Sequence, residues 1–84
     1  MKYQIELKEP ALKKLRKLDK TSVKKILTKI EKLEENPEIG KPLKKRLHGI
    51  WQLRTGKYRI WYTIKEETIY IRAIQHKKQA EKRY

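Results

Sequence analysis

Apolar and polar residues alternate over the first seven positions of the chain, and then the period changes. Tyr3, Ile5 and Leu7 fall on one side of this segment, which predicts a half-buried strand over residues 1–7. Pro10 follows, and proline suits the first turn of a helix because its missing N–H is not needed there. Three leucines at three-residue spacing then indicate a first helix: Leu12, Leu15 and Leu18.

A second helix is predicted to begin near Thr21 or Ser22, either of which could cap its N-terminus. An apolar stripe with the helical period follows, made of Val23, Ile26, Leu27, Ile30 and Leu33. Asn36-Pro37 ends the helix, since the residue before a proline is disfavoured in the helical region. The two helices are predicted to form an antiparallel hairpin.

The second half of the chain predicts three strands joined by short turns. They cover Ile50–Arg54, Lys57–Ile64 and Thr68–Gln75, separated by a Thr55-Gly56 turn and by residues 65–67. The tail from 76 to 84 is either a short helix or a frayed end. The predicted fold is α+β in a single domain over residues 1–84. An N-terminal strand and an antiparallel helical hairpin precede a three-stranded antiparallel meander, which completes one twisted sheet with helices on one face.

Strand alternation also predicts which side chains the helices cover. The covered set is Trp51, Leu53, Tyr58, Ile60, Tyr62, Ile69 and Ile71. The opposite face is predicted to be open, and it would show Gln52, Arg54, Arg59, Trp61, Tyr70 and Arg72. A register error of one residue would exchange the two sets.

The charge balance narrows the classes of partner. The chain has 24 Lys and Arg against 10 Asp and Glu, a formal charge of +14, which predicts an anionic partner. There is no cysteine, which excludes disulfides, thiolate metal sites and a cysteine nucleophile. With only two histidines, no metal or other cofactor is expected. No segment is apolar enough to span a membrane or to act as a secretory signal, so we expect a cytoplasmic protein.

Two arginines on adjacent predicted strands are the most informative candidates. Arg54 and Arg59 flank a tight turn, so their guanidinium groups can converge on one phosphate. Trp61, Tyr70 and Tyr84 could add flat surfaces on which unpaired bases stack. This combination favours single-stranded nucleic acid. The alternative is a solvated basic face whose aromatic residues only cover the sheet.

Further basic residues could contact phosphates without reading sequence. One cluster precedes the meander, and a solubilising loop is its alternative explanation: Lys41, Lys44, Lys45 and Arg46. Other candidates lie in the meander and the tail: Lys57, Arg72, Lys77, Lys82 and Arg83. His76 is the natural candidate for proton transfer, although a lone histidine near a terminus can equally be a surface residue. His48 is interpreted as a structural turn residue.

Residues 47–62 carry a resemblance to a known family. They read Leu-His-Gly-Ile-Trp-Gln-Leu-Arg-Thr-Gly-Lys-Tyr-Arg-Ile-Trp-Tyr, which resembles the core signature of the RelE/ParE toxin superfamily. In those proteins a leucine and glycine lead into a strand that ends in arginine. A glycine turn and a Tyr-Arg pair follow. The helix-opening segment at 11–15 and the basic tail from His76 to Tyr84 also resemble the family, so the likeness spans nearly the whole chain.

The resemblance implies a toxin that cleaves messenger RNA in the ribosomal A site and is silenced by an acidic, RelB-like antitoxin. It further implies that Arg59 stabilises charge on the scissile phosphate, with Arg54 in support. Lys78 falls where the family often has a second catalytic arginine. Tyr84 and His76 fall where some members have a functional tyrosine and a general base.

The sequence departs from the family pattern in the strand before the glycine turn. Some members use two lysines there, whereas this chain has Ile50 and Gln52. That difference keeps two alternatives open: a ParE-like inhibitor of DNA gyrase, and an RNA-binding module without catalysis.

Overall fold

A computed structural model describes residues 2–83 of the protein, without the side chain of Arg83. The regular elements follow one another along the chain in this order: β1 Gln4–Leu7, α1 Glu9–Lys17, α2 Lys20–Leu33, β2 Lys41–Pro42, β3 Trp51–Thr55, β4 Tyr58–Lys65, β5 Thr68–His76 and α3 Lys77–Arg83. Two short 3₁₀ turns, at Pro37–Ile39 and Lys45–Leu47, flank β2. The predicted α+β order of strand, two helices and three strands is confirmed, and the tail is helical.

The five strands form one mixed sheet in the order β1-β5-β4-β3-β2. The strands β2 to β5 pair antiparallel, as a meander requires, whereas β1 lies parallel to β5 at the opposite edge. The short edge strand β2 was not predicted, because two residues that include a proline carry no strand periodicity. The helices α1 and α2 connect β1 to the rest, which is why β1 can pair parallel to the last strand.

The two N-terminal helices begin where local chemistry favours a helix. Pro10 lies in the first turn of α1, as predicted. The cap of α2 is Asp19 rather than Thr21 or Ser22, because the Asp19 carboxylate accepts hydrogen bonds from both the backbone N–H and the hydroxyl of Ser22. These hydrogen bonds lower the pKa of Asp19. The helix ends at Leu33, before Asn36-Pro37, as predicted.

The main core lies between the sheet and the two N-terminal helices. Its buried members come from α1, α2 and three strands, and they are Ala11, Ile26, Ile30, Leu33, Leu53, Ile60, Tyr62, Ile69, Ile71 and Ile74. Trp51 and Tyr58 pack against this cluster from the same side of the sheet. The predicted helix-covered set is therefore confirmed, and we call this side the helix face.

The opposite side of the sheet, which we call the cleft face, is covered in part by a second, smaller cluster. Leu43, Trp61 and Ala80 are its buried members, supplied by the segment after β2, by β4 and by α3. Trp61 is only 7% exposed, and its indole N–H donates to the Gln52 side-chain oxygen at 2.8 Å. The prediction of Trp61 as an exposed stacking platform is wrong, because distant parts of the chain fold over it.

Tyr62 holds the segment between α2 and β3 against the sheet. Its hydroxyl donates to the Pro37 carbonyl at 2.6 Å and accepts from the Gly40 N–H at 3.2 Å. Burial raises the pKa of Tyr62 to about 12. At Gly40 a Cβ atom would lie 2.6 Å from the Tyr62 hydroxyl oxygen and 2.7 Å from the Gln52 carbonyl oxygen, so only glycine allows this close approach.

A β-bulge interrupts the ladder between β4 and β5. Tyr62 pairs with Ile71 and Trp61 pairs with Ala73, so Arg72 is an extra residue on β5. Beyond the bulge the alternation of β5 is shifted: Ala73 and Gln75 lie on the cleft face, and Ile74 and His76 lie on the helix face. Among residues 2–83, no helix has the length and apolar character needed to cross a membrane.

Candidate nucleic-acid interface

A basic cleft of about 450 Å³ opens on the cleft face. Gln52, Arg54 and Arg59 from the sheet line its floor. One wall comes from β2 and the residues after it, and the other from α3; the wall residues are Lys41, Pro42, Leu43, Lys44, Lys77, Ala80 and Glu81. Five of the lining side chains are cationic and one is a carboxylate, so the cleft attracts anions. The small apolar cluster of Leu43, Trp61 and Ala80 ties the two walls together.

The hairpin between β3 and β4 places the two predicted arginines side by side. Arg54 and Arg59 are direct partners in the antiparallel ladder, and both line the basic cleft. Directly opposed residues have Cβ atoms about 4.5–5.5 Å apart, so two guanidinium groups can reach one phosphate. The turn is Gly56-Lys57 and not the predicted Thr55-Gly56, because Thr55 still pairs with Tyr58 in the ladder. Gly56 has a φ of +60° that glycine adopts without strain.

Arg59 is held in place by its own strand turn. Its NH1 group donates to the carbonyls of Gly56 and Tyr58, both at 3.0 Å. A guanidinium has five N–H donors, so Nε and NH2 keep three that no other part of residues 2–83 engages. Arg54 is exposed, and within residues 2–83 its side chain has no hydrogen-bond or ion-pair partner. One arginine is therefore fixed and half-buried, and the other is free to close on a ligand.

The predicted proton-transfer residue lies on the other side of the sheet. His76 pairs with Tyr58, and the two rings meet edge to face with centroids 6.2 Å apart. Its Nδ1 accepts a hydrogen bond from the Lys78 backbone N–H at 3.2 Å, at the start of α3. In the neutral imidazole the proton is therefore on Nε2. The bulge in β5 is the physical reason that His76 does not reach the cleft.

The remaining predicted residues separate into three groups. Lys41, Lys44 and Lys77 line the cleft with the arginines. Exposed residues outside the cleft lining are Lys45, Arg46, Lys78 and Lys82. Tyr84 and the side chain of Arg83 lie outside the described residues.

Lys57 and Arg72, which were also predicted to contact nucleic acid, interact with other residues of the sheet. Lys57 places its ammonium 5.8 Å from the centre of the Tyr58 ring, toward the helix face. Arg72 donates from Nε to the Thr63 hydroxyl at 3.0 Å and lies over the Tyr70 ring at 5.1 Å. Tyr70 therefore stacks with a cation of its own chain. Neither basic residue lines the cleft.

Sequence reasoning missed one polar residue of the cleft face, Gln75. It is the direct ladder partner of Arg59, yet it is 5% exposed and its side-chain amide has no hydrogen-bond partner among residues 2–83. One signal was present: Ile69 and Ile71 are two residues apart, but the next isoleucine is Ile74, and a spacing of three inside a strand indicates a bulge.

Within residues 2–83, no group of three or more histidine, aspartate and glutamate side chains is placed to hold a metal ion. The lining residues make the site a cationic cleft on a small mixed sheet, built around paired arginines at a hairpin. The fold and the cleft together define a class of small basic α+β proteins.

Comparison with known proteins places the chain within that class. Residues 5–81 match the family model described as the ParE toxin of the type II toxin–antitoxin system parDE. An Escherichia coli RelE-like toxin protein is 32% identical over 79 residues, covering 88% of this chain and 80% of the relative. The chain therefore belongs to the ParE toxin family, within the RelE/ParE toxin superfamily, and it is a toxin of the type II toxin–antitoxin class.

Solved structures agree on the fold. The RelBE2 toxin–antitoxin complex from Mycobacterium tuberculosis matches with a TM-score of 0.81 and 27% identity, over 90% of this chain and 99% of that one. The isolated E. coli RelE toxin matches with a TM-score of 0.75 and 22% identity, over 96% of this chain and 97% of that one. The expected resemblance to the superfamily is confirmed.

Proposed function

We propose that the protein is an endoribonuclease toxin that cleaves messenger RNA on the ribosome and so inhibits translation. The observation that carries this proposal is the Arg54–Arg59 pair in one basic cleft, with Lys41, Lys44 and Lys77 around it. Superfamily membership supports it, because the resemblance to RelE implies this activity.

The cleft chemistry suits transfer of a phosphoryl group to the neighbouring ribose hydroxyl. In that reaction the 2′-oxygen attacks the adjacent phosphorus and loses its proton. The bond to the 5′-oxygen breaks, and that oxygen takes up a proton, which leaves a 2′,3′-cyclic phosphate and a 5′-hydroxyl. The crowded phosphorane carries extra negative charge, and Arg59 is already fixed by its bonds to the Gly56 and Tyr58 carbonyls. A fixed cation stabilises a transition state without reorganisation at the moment of reaction.

Proton transfer is proposed for Tyr84 or His76, with Lys78 as electrostatic support. For His76 to act, its Nδ1 must release the Lys78 N–H, and the ring must leave Tyr58. His76 can therefore act only after a local rearrangement at the start of α3. If His76 is the base, disrupting the start of α3 affects the rate, and Tyr84→Phe does not.

The test is primer extension on messenger RNA in a reconstituted translation reaction. The wild-type protein is expected to produce cuts within translated frames, and Arg59→Ala to lower the cleavage rate by about 10²–10³. Arg16→Ala is the matched control, because Arg16 is an exposed arginine on α1 whose partner is Glu9 at 3.7 Å, away from the cleft. If Arg59→Ala cleaves as fast as wild type, the assignment is wrong.

A second candidate function is inhibition of DNA gyrase. The matching family model is that of ParE toxins, and Ile50 and Gln52 stand where some RelE-like toxins have lysines. Inhibition of purified gyrase together with intact messenger RNA in the translation reaction would select this function. Salt-sensitive RNA binding with neither activity would select a binding module without catalysis.

We further propose that an acidic, RelB-like antitoxin neutralises the protein in the cytoplasm. The chain carries a formal charge of +14, and the M. tuberculosis relative was solved as a toxin–antitoxin complex. An acidic partner would cover the cations of the cleft. Co-expression with the acidic product of an adjacent gene is expected to yield a stable complex that dissociates at high salt.

A further inference from the structure

The buried side chain of Gln75 is the polar group that the proposed function does not explain. Its residue exposure is 5%, and both the Oε1 and Nε2 atoms are buried without a hydrogen-bond partner among residues 2–83. Burying an amide without a partner costs stability, which is why native proteins seldom do it. A ligand that supplies the missing hydrogen bonds would account for the residue.

A small cavity lies beside Gln75, at the junction of α1, the end of β5 and the start of α3. Gln75 and Gln79 contribute to its lining together with Lys13, Lys14 and Lys17, and no acidic residue does. We call it the edge cavity, because β1 pairs with β5 only as far as Ile71, and beyond that residue α1 instead of a strand lies beside β5. Lys13, Lys17 and Gln79 are exposed, so these long side chains can move to admit a ligand.

The edge cavity and the basic cleft both border α3, since Gln79 lines the cavity and Lys77, Ala80 and Glu81 line the cleft. Gln75 is the ladder partner of Arg59, and adjacent strands are about 4.8 Å apart. A polyanion held by Arg54 and Arg59 would pass around the start of α3 to bring a neighbouring unit to the edge cavity. The cavity volume is about 250 Å³, below the ~300–1,000 Å³ of sites that enclose a whole small molecule. It suits one unit of a polymer.

We propose that the edge cavity binds one nucleotide of the RNA strand next to the cleaved phosphate, with the Gln75 amide hydrogen-bonded to the base edge. This inference rests on the proposed function and names a specificity site for it. A side-chain amide offers a donor and an acceptor side by side, which matches the edge of a base. Lys13, Lys14 and Lys17 supply the cations for the flanking phosphate. Adenine is the base expected, because glutamine pairs with its edge by two hydrogen bonds.

The first test is a titration of the ¹⁵N-labelled protein followed by NMR. The probes are the four nucleoside 5′-monophosphates, inorganic phosphate and a hexaglutamate peptide. We expect a nucleotide, AMP most strongly, to shift the Gln75 side-chain amide and the Lys13 and Lys17 signals together. Three results would overturn the proposal: no shift at Gln75 with any nucleotide, an equal shift with phosphate alone, or a shift only with the acidic peptide.

The second test uses Gln75→Leu, which keeps the size of the side chain and removes the amide. Removing an unpaired buried amide is expected to leave the melting temperature equal or higher. The same change is expected to abolish the nucleotide-induced shifts of the lysines and to reduce base preference next to the cut about tenfold. A purely structural glutamine would give the reverse, with a lower melting temperature and unchanged nucleotide binding.

Two controls keep the outcomes separate. Gln4→Leu changes an exposed glutamine on β1, far from the edge cavity, and is expected to alter neither readout. If Gln75→Leu does not fold, Lys13→Gln with Lys17→Gln on the exposed surface of α1 tests the same site. If the wild type cleaves no RNA, the proposed function fails. The titration still decides whether the edge cavity takes a nucleotide.

Discussion

The two faces of the sheet differ in how much hydrophobic core they form. The helix face buries ten mainly aliphatic residues in one continuous core. On the cleft face, the buried hydrophobic cluster consists of Leu43, Trp61 and Ala80. Around it lie a pair of opposed arginines and the Gln75 amide, which has no hydrogen-bond partner among residues 2–83. Like charges directly opposed in a ladder and unpaired buried amides both reduce stability. The helix face therefore stabilises the fold, and the cleft face retains features that reduce stability.

Ile60 and Arg59 are neighbours on β4 that lie on different faces, so they give the sharpest comparison. Ile60 is fully buried in the main core, and Ile60→Ala is expected to lower the free energy of unfolding by about 2–5 kcal/mol. Arg59→Ala is expected to change that free energy far less, although it removes most of the cleavage activity. Urea denaturation followed by circular dichroism measures both. Equal losses of stability for the two variants would contradict the division between the faces.

Tyr62 links the faces, because it belongs to the main core and also holds the segment that carries Lys41. Tyr62→Phe is expected to lower the free energy of unfolding by about 1–3 kcal/mol, since it leaves the Gly40 N–H and the Pro37 carbonyl without partners. Thermal unfolding measures the loss. A variant as stable as the wild type would show that the two hydrogen bonds contribute nothing net.

The same tyrosine predicts a pH dependence. Its pKa is raised from 10.0 to about 12 in the folded protein, so above pH 10 the unfolded chain loses the proton first. The contribution of Tyr62 to stability is thus complete below pH 10 and declines as the pH rises toward 12. Tyr62→Phe is expected to flatten this decline relative to wild type. The measurement is the free energy of unfolding between pH 9 and pH 12. If it declines equally with pH in wild type and in Tyr62→Phe, Tyr62 is not the group responsible.

The smallest expected effect concerns the charge repulsion between the opposed arginines. Arg54→Gln is expected to raise the free energy of unfolding by about 0.2–1 kcal/mol in a buffer without multivalent anions, because it removes one of the two like charges. Added phosphate is expected to stabilise the wild type more than the variant, which erases the difference. A variant that is less stable than wild type without phosphate would show that the pair is not strained.

Much of the fold was predictable because the relevant signals are local. Alternation identified β1 and the three strands of the meander, and the helical stripe from Val23 to Leu33 identified α2. The cap of α2 was misplaced by two or three residues, since Asp19, Thr21 and Ser22 can all cap a helix and only the geometry of the Ser22 contacts selects among them. The short strand β2 has no periodic signal.

The site was predictable only in part, because much of it depends on contacts between distant segments. Arg54 and Arg59 were correctly predicted to share a face, but the turn lies one residue later than the predicted Thr55-Gly56, so their direct pairing was not predicted. Trp61 was predicted to be exposed, and nothing within β4 reveals that Leu43 and Ala80 cover it. The positions of His76 and Gln75 depend on the bulge, which reverses the alternation of the strand after Arg72.

The extra residue in β5 also affects how this chain is compared with its relatives. Without Arg72 the ladder between β4 and β5 would be regular, and every later residue of β5 would keep its present partner. Deletion of Arg72 would therefore leave every other residue of β5 on its present face of the sheet. A homologue that lacks it needs a one-residue gap between Ile71 and Ala73. Residues of the terminal segment are best aligned with a homologue by counting from Gln75, the ladder partner of Arg59. Counting from Thr68 in a homologue without Arg72 would match the equivalent of His76 to Gln75.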